Sequence, residues 1–180
     1  RDVRDQAYVV RARVDESDSV IRLLFPAILV LAFVSSAQAE NLAATYGKAL
    51  LQCYAAESDK LACLGRTAEA CMAREEDGET TLGSVACLSA ETEVWDSKLN
   101  DEYKATRAFF GAMDDADSGQ RVNALLKAQR AWIAFRDAEC AMEYTAWGTG
   151  SIRALAGADC LMSITAERTV RLGELRELME

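Results

Sequence analysis

Six cysteines constrain the fold of this 180-residue chain more than any other feature of its sequence. All six follow an apolar run, Leu23 to Val34, which begins after Arg22 and is followed by the small-residue sequence Ala37-Gln38-Ala39. A basic residue, a short apolar stretch and a small-residue site are the three parts of a secretory signal peptide. An even number of cysteines behind such a signal predicts a disulfide framework in a periplasmic or secreted protein.

The signal peptide sets the expected domain boundaries. We assign residues 20–39 to it, with cleavage after Ala39, and its apolar run is too short to span a membrane. Residues 1–19 carry mixed charges and do not fit this layout. Our hypothesis is that translation starts at Val20 and that residues 1–19 are not native; the alternative is a genuine disordered extension. Residues 40–83 are expected to form an N-terminal helical hairpin, in one compact unit with a main domain at residues 84–180.

The spacing of the cysteines predicts how they pair. Cys63 and Cys71 are eight residues apart on one predicted helix, so about 12 Å separates them and a bond between them is excluded. In an antiparallel helix hairpin, residues equidistant from the turn face each other. The pairs that are centred on predicted turns are Cys53–Cys63, Cys71–Cys87 and Cys140–Cys160.

The periodicity of apolar residues predicts helices and no strands. The chain has one Pro, which lies within the signal peptide, and it is rich in Ala, Leu, Glu and Arg. We therefore expect an all-α fold, a disulfide-stapled bundle of antiparallel helix hairpins. The predicted helices are Asn41 to Ala56, a second capped by Ser58 or Asp59 that runs to about Glu76, a third from Ser84 to about Gly111, a fourth from Ser118 to about Trp147, a short turn at 152–156 and a last helix capped by Asp159.

The composition argues against catalysis. The chain has no His, which excludes Ser-His-Asp and Cys-His sites, and cysteines in disulfides serve neither as nucleophiles nor as zinc ligands. The acidic turn at 114–119 lacks the spacing of a calcium loop. We expect no catalytic residue, no metal and no cofactor. The net charge of −9 argues against nucleic acid as a partner and favours a cationic protein.

One helical stripe mixes polar and apolar residues. Within Ala128 to Cys140, residues Gln129, Trp132, Arg136 and Cys140 follow each other at spacings of three, four and four, which places them on one side of a helix. A plain core stripe would have Leu, Ile or Val at Gln129 and Arg136. The pattern therefore predicts a polar network against the core, in which Arg136 has a carboxylate or carbonyl partner.

Three short motifs give the chain a resemblance to a known family. They are Leu99-Asn100-x-x-Tyr103, the Gln-Arg-Ala-Trp run at 129–132 and the Arg-Asp-Ala-Glu-Cys run at 136–140. With them, about residues 84–178 resemble the LprI-like lysozyme inhibitor family. The resemblance implies a small, exported, helical, disulfide-stapled domain, whose named member inhibits lysozyme. It also implies mainly structural roles for Glu91, Trp95, Asp96, Leu99, Asn100, Tyr103, Gln129, Trp132, Arg136, Asp137 and Arg168.

Some of these roles can be specified further. We expect Trp95, Tyr103 and Trp132 in the core and Asn100 as a polar contact on the side of a helix. Arg136 and Arg168 are expected to be buried members of ion pairs. Glu91 is a candidate partner for them.

The loop Gly148 to Arg153 is the predicted contact with a partner. Animal-type lysozymes are cationic and have two carboxylates in a cleft, so a protein of charge −9 is steered toward them. Thr149, Ser151 and Arg153 lie on this turn, and Arg153 could pair with the cleft carboxylates. The alternative is that these residues only close a helix hairpin.

The sequence thus predicts an exported, non-catalytic binding protein that resembles lysozyme inhibitors and has lysozyme as its candidate partner. Its oligomeric state is left open by the sequence. A first alternative is a structural or envelope-stress domain that binds another envelope protein or a peptidoglycan fragment. A second alternative is an enzyme that cleaves cell-wall glycan through a pair of carboxylates, for which the sequence has no site signature.

Overall fold

The computed structural model describes residues 38–114 and 119–179, and helices account for most of them. The predicted signal peptide up to Ala37, and Ser118, lie outside the described residues. The described residues contain no strand, and the prediction of an all-α fold is confirmed. The elements are α1, whose described part covers residues 38–46, α2 (Lys48–Ala56), a 3-10 turn (Lys60–Cys63), α3 (Arg66–Met72), α4 (Thr81–Met113), α5 (Gln120–Ala146) and α6 (Ile152–Glu177).

The two long helices α4 and α6 form the centre of the fold and pack against each other along their length. One apolar cluster joins them to the N-terminal helices around Trp95, which is fully buried. A second cluster, around Leu99, Phe110, Leu125 and Leu172, joins them to α5. Packing therefore ties α5 to the other two long helices mainly at its amino-terminal half.

Three disulfides connect neighbouring helical elements, and they join the pairs expected from the hairpin turns. Cys53 is bonded to Cys63, Cys71 to Cys87, and Cys140 to Cys160, with Cα atoms 5.5 to 5.7 Å apart. Each pair bridges one connection, so every staple closes a local hairpin. No free cysteine is present among the described residues.

The predicted second helix is wrong, because the chain breaks it into two elements. Asp59 caps only the short 3-10 turn, where its side chain accepts a hydrogen bond from the Leu61 amide at 3.1 Å. Gly65 then adopts a left-handed conformation with φ of 91°, which a residue with a Cβ adopts only with strain, and α3 begins after it. Cys63 and Cys71 therefore lie on different elements.

The predicted ends of the later helices also need correction. Helix α4 begins before Ser84, because Thr80 caps it by accepting a hydrogen bond from the Gly83 amide at 3.0 Å. Helix α6 is continuous from Ile152, so the predicted turn at 152–156 is part of the helix and Asp159 lies inside it. At 33 residues, α4 is about 50 Å long.

Asp114 connects the end of α4 to the start of α5. Its carboxylate accepts hydrogen bonds from the amides of Arg121 at 3.1 Å and Val122 at 3.2 Å, and from the Arg121 guanidinium at 3.2 Å. Burial alone would raise the pKa of Asp114, but these hydrogen bonds outweigh it and the pKa is lowered. Asp114 thus accepts hydrogen bonds from the first turn of α5, as a capping side chain does.

Within the described part of the chain, no helix combines the length and the apolar character needed to cross a lipid bilayer.

Candidate functional site

The turn between α5 and α6 borders a cavity of about 430 Å³, which we call the turn pocket. The start of α4 and the two helices joined by the turn form its walls. The lining residues are Thr81, Leu82, Val85, Tyr144, Thr149, Gly150, Ser151, Arg153 and Ala154. The three predicted partner-binding residues therefore lie in one place.

Arg153 has contacts within the protein. Its guanidinium lies 4.8 Å from the centre of the Tyr144 ring, and its Nη1 donates a hydrogen bond to the Gly148 carbonyl at 3.3 Å. The side chain is half-buried and holds the turn against α5. To pair with carboxylates of a partner, as the sequence suggested, Arg153 would have to leave these contacts.

Thr149 and Ser151 are placed differently. Both are exposed, and neither hydroxyl has a hydrogen bond to another residue in the described part of the chain. The backbone between them is fixed at both ends, since Gly148 donates to the Thr145 carbonyl at 3.0 Å and the Ala154 amide donates to the Ser151 carbonyl at 3.1 Å. Two hydroxyl groups are thus offered to solvent on an ordered turn.

Large apolar side chains are exposed around the same turn. Leu82 is 81% exposed, Trp147 57%, Ile152 45% and Tyr144 39%. Leu82 and Tyr144 line the turn pocket, while Trp147 and Ile152 flank the turn in sequence. We call these four side chains the apolar rim. Grouped apolar side chains of this size mark interaction sites more often than isolated ones.

A second cavity, of about 510 Å³, continues from the turn pocket along α5 and α6; we call it the α5–α6 groove. Val85, Tyr144 and Ala154 line both cavities. Gly157 lets Tyr144 approach α6, because a Cβ on Gly157 would lie only 3.3 Å from the Tyr144 ring. The remaining lining residues are Ser89, Asp137, Cys140, Ala141, Gly157, Ala158 and Leu161.

The predicted polar stripe on α5 forms a network around Trp132. The guanidinium carbons of Arg136 and Arg168 lie 5.1 and 5.9 Å from the centre of the Trp132 ring. Arg168 donates from Nε to Gln129 Oε1 at 3.0 Å, and burial together with the nearby Arg171 lowers the pKa of Arg168. The ring also packs against the second apolar cluster.

Arg136 is paired on its outer side. Its side chain is 19% exposed, and its Nη2 lies 3.0 Å from the Asp137 carboxylate. A more distant contact of 3.9 Å links its Nη1 to Asp96, which also accepts a hydrogen bond from the Asn100 amide at 3.2 Å. Asn100 is exposed, and it is a polar contact on the side of α4.

Glu91 is not the partner of Arg136 or Arg168, and that prediction is wrong. The fully buried carboxylate accepts hydrogen bonds from the amides of Gly65 at 2.6 Å, Thr67 at 2.8 Å and Ala68 at 2.8 Å. Trp95 Nε1 donates to it at 3.0 Å. These amides belong to the start of α3, which carries positive partial charge, so Glu91 is a cap supplied by a distant helix.

The other family-motif residues lie on α4. Trp95 and Leu99 are buried at 0% and 3% exposure, and Tyr103 packs partly buried against the second apolar cluster. These positions fit a scaffold role. Glu91 and Trp95 face the N-terminal helices, whereas the motif residues around Trp132 lie between α4, α5 and α6. The motif residues are not part of the turn pocket's lining.

A further polar cluster had no signal in the sequence. Arg176 donates to the Glu102 carboxylate and, at 2.8 Å, to Thr106 Oγ1, and the Tyr54 hydroxyl donates to Glu102 at 3.3 Å. Burial and the Glu102 carboxylate raise the pKa of Tyr54. Glu102 and Arg176 are 74 residues apart, so no local spacing could pair them. The cluster borders a cavity of about 200 Å³ and ties α2 to α4 and α6.

Within residues 38–114 and 119–179, no group of three or more Cys, Asp or Glu side chains is arranged to hold a metal ion.

A family model described as "Lysozyme inhibitor LprI" matches residues 71–172. The match begins before Ser84, where the sequence motifs placed the start of the resemblance. It therefore includes Cys71 and the acidic loop before α4, so the predicted boundary at residue 83 does not coincide with the edge of the family region.

Two bacterial proteins are similar to the chain. An uncharacterized protein of Rhizobium meliloti is 34% identical over 100 residues, which cover 52% of this chain and 72% of that protein. An uncharacterized 17.7 kDa protein from the puhA 5′ region of Rhodobacter capsulatus is 27% identical over 160 residues, 83% of this chain and 94% of that protein. No solved structure matches the chain with statistical significance.

Proposed function

The chain belongs to the LprI family of lysozyme inhibitors, and from this premise we propose that it is an exported, non-catalytic protein that binds lysozyme and blocks its action. The observation that carries the proposal is the apolar rim. Four large apolar side chains remain exposed around an ordered turn, which is costly for a protein whose surface faces only water.

The contact is proposed to combine the apolar rim with the turn itself. Thr149 and Ser151 offer hydroxyl groups that can donate to carboxylates in the lysozyme cleft. Arg153 keeps the turn in shape by its contacts with Tyr144 and Gly148. The Cys140–Cys160 disulfide joins the two helices on either side of this turn, so the turn loses little conformational entropy on binding.

The charge of the chain supports the same partner. A protein with a net charge of −9 attracts a cationic lysozyme, which raises the association rate and makes the complex sensitive to salt. The disulfides support export, because such bonds persist in oxidising compartments. The alternative function, a structural domain that binds another envelope component, predicts no complex with lysozyme.

A lysis assay tests the proposal. We expect the full chain, purified with its three disulfides formed, to slow the lysis of peptidoglycan by chicken lysozyme in a dose-dependent manner. Replacing Leu82 or Trp147 by Ser is expected to raise the half-inhibitory concentration about 5- to 30-fold, as the loss of about 1–2 kcal/mol of apolar contact implies.

The chain provides a matched control for this assay. Leu178 is 74% exposed, comparable to Leu82, but it follows the end of α6 and lies outside the turn pocket. Leu178→Ser should inhibit like the wild type. Unchanged lysis with wild-type protein would exclude the inhibitor function, and lysis of peptidoglycan by the protein alone would indicate an enzyme instead.

A further inference from the structure

We propose that the α5–α6 groove is a docking site that takes an apolar segment of the cationic lysozyme. The inference rests on the proposed function and names a second contact surface for the same partner. The turn pocket and the groove share Val85, Tyr144 and Ala154, so a protein bound at the turn lies directly beside the groove.

The volume and the lining of the groove suit one or two apolar side chains of a bound partner. Small apolar residues form much of its lining, with Ala141 on α5 and Ala154 and Ala158 on α6, and its volume is about 510 Å³. Ligand-binding pockets have volumes of about 300–1,000 Å³. Because Ala141, Ala154 and Ala158 have short side chains, an incoming side chain can come close to both helices there.

The groove exists because α5 is only partly covered by the rest of the fold. Of the 27 residues of α5, Leu125 and Cys140 are the buried ones. The Cys140–Cys160 disulfide holds the carboxyl-terminal half of α5 beside α6, and the contact of Tyr144 with Gly157 fixes the wall of the groove. The apolar surface is therefore held open by a covalent bond and does not close by side-chain packing.

Charge decides which occupant the groove favours. Asp137 lies at the groove, but its carboxylate is 3.0 Å from Arg136 Nη2, so the attraction of a cationic partner comes from the net charge of −9 of the whole chain.

The cationic side chains of Arg136 and Arg153 lie near the groove, and both are engaged within the protein. Arg136 pairs with Asp137, and the Arg153 guanidinium contacts Tyr144 and Gly148. A second copy of the chain also carries a charge of −9 and is repelled from this surface. A cationic protein with an exposed apolar segment is complementary to both the charge and the apolar lining.

The test fills the groove and measures binding to chicken lysozyme by titration calorimetry. Ala141 is exposed and lines the groove, so Ala141→Trp should occupy it without disturbing the core. We expect the dissociation constant to rise at least tenfold. Ala128→Trp, the same substitution at an exposed position of α5 outside the groove, should bind like the wild type.

A second variant on the opposite wall of the groove, Ser89→Trp, should weaken binding in the same way. Circular dichroism and a count of free thiols check that each variant is folded and has its disulfides formed.

Wild-type affinity in both filled variants would overturn the docking site while leaving the proposed function intact. Wild-type protein that does not bind lysozyme would overturn both. A dimer of the wild-type chain that Ala141→Trp dissociates would identify a second copy as the occupant and also overturn the proposal.

Discussion

Glu91 is the residue whose role differs most from what its sequence position indicates. It is a buried carboxylate whose contacts are with amide and indole N–H groups, and the described residues place no cation against it. This side chain links the start of α3 to α4, which the Cys71–Cys87 disulfide also joins. Hydrogen bonds to a charged acceptor are worth about 1.5–3 kcal/mol, more than those between neutral groups.

Replacing Glu91 by Gln should lower the free energy of unfolding by about 2–3 kcal/mol, because the amide has one acceptor oxygen and places an NH₂ group against a backbone N–H. Urea unfolding of the oxidised protein, followed by circular dichroism, measures the loss. Glu93→Gln is the control, since Glu93 is exposed on the same helix and should give a change within about 0.5 kcal/mol. Equal stability of the two variants would contradict the capping role.

The sequence predicts which polar side chains lie next to the core, but it does not predict which groups they bind. The spacing of Gln129, Trp132 and Arg136 predicts one helical face, and the structure brings all three into the network around Trp132. The backbone partners of Glu91 could not be predicted, because the amides that donate to its carboxylate are 23 to 26 residues away. Side-chain types identify carboxylates and cations but say nothing of free amides at a helix start.

At the scale of the elements, helix existence was predictable and helix ends were not. Asp159 has the chemistry of a cap, but α6 runs through it because Ala158 and Met162, four residues apart on one helical face, are buried in the cluster shared with α4. Conversely, the stretch from Ser58 to Glu76 reads as one helix, and Gly65 divides it. Tertiary packing and one left-handed residue thus override local signals at opposite ends of the chain.

The disulfide Cys140–Cys160 is expected to hold α5 in place. Replacing both cysteines by Ser should cost about 3 kcal/mol, because the bond closes a loop of 20 residues. The loss should be local, since packing anchors the carboxyl-terminal half of α5 weakly. Hydrogen exchange measured by mass spectrometry should show faster exchange in α5 while α4 stays protected.

Cys53→Ser with Cys63→Ser is the matched control for this experiment. That pair closes a loop of 10 residues at the other end of the chain and should leave exchange in α5 unchanged. Uniformly faster exchange in both double variants would show that the fold opens as one unit and that α5 is not held separately.

At the scale of the whole molecule, charge and apolar exposure act together. A net charge of −9 opposes the association of copies, while the apolar rim and the α5–α6 groove expose apolar surface that favours binding. Composition predicts the sign of the partner's charge. It could not predict the rim, because Leu82, Trp147 and Ile152 are ordinary apolar residues whose exposure is decided by which helices cover them.

The affinity for lysozyme should depend on pH. The isoelectric point of the chain is about 4.7, so its negative charge falls as the pH is lowered from 7 to 5, while lysozyme only gains positive charge. We expect the dissociation constant to rise about tenfold over this range and its salt dependence to weaken. Calorimetry at both pH values, with and without 0.5 M NaCl, checks this; equal affinities at pH 7 and pH 5 would show that charge does not govern the complex.

The three disulfides have a consequence for how the protein acquires its fold. In chain order the first cysteine is bonded to the second, the third to the fourth and the fifth to the sixth, so the bonds never cross or enclose one another. A chain that emerges amino end first into an oxidising compartment presents the cysteines in pairing order. Joining each second cysteine to the one before it yields the native set directly, and biogenesis can proceed without an isomerase to rearrange wrong bonds.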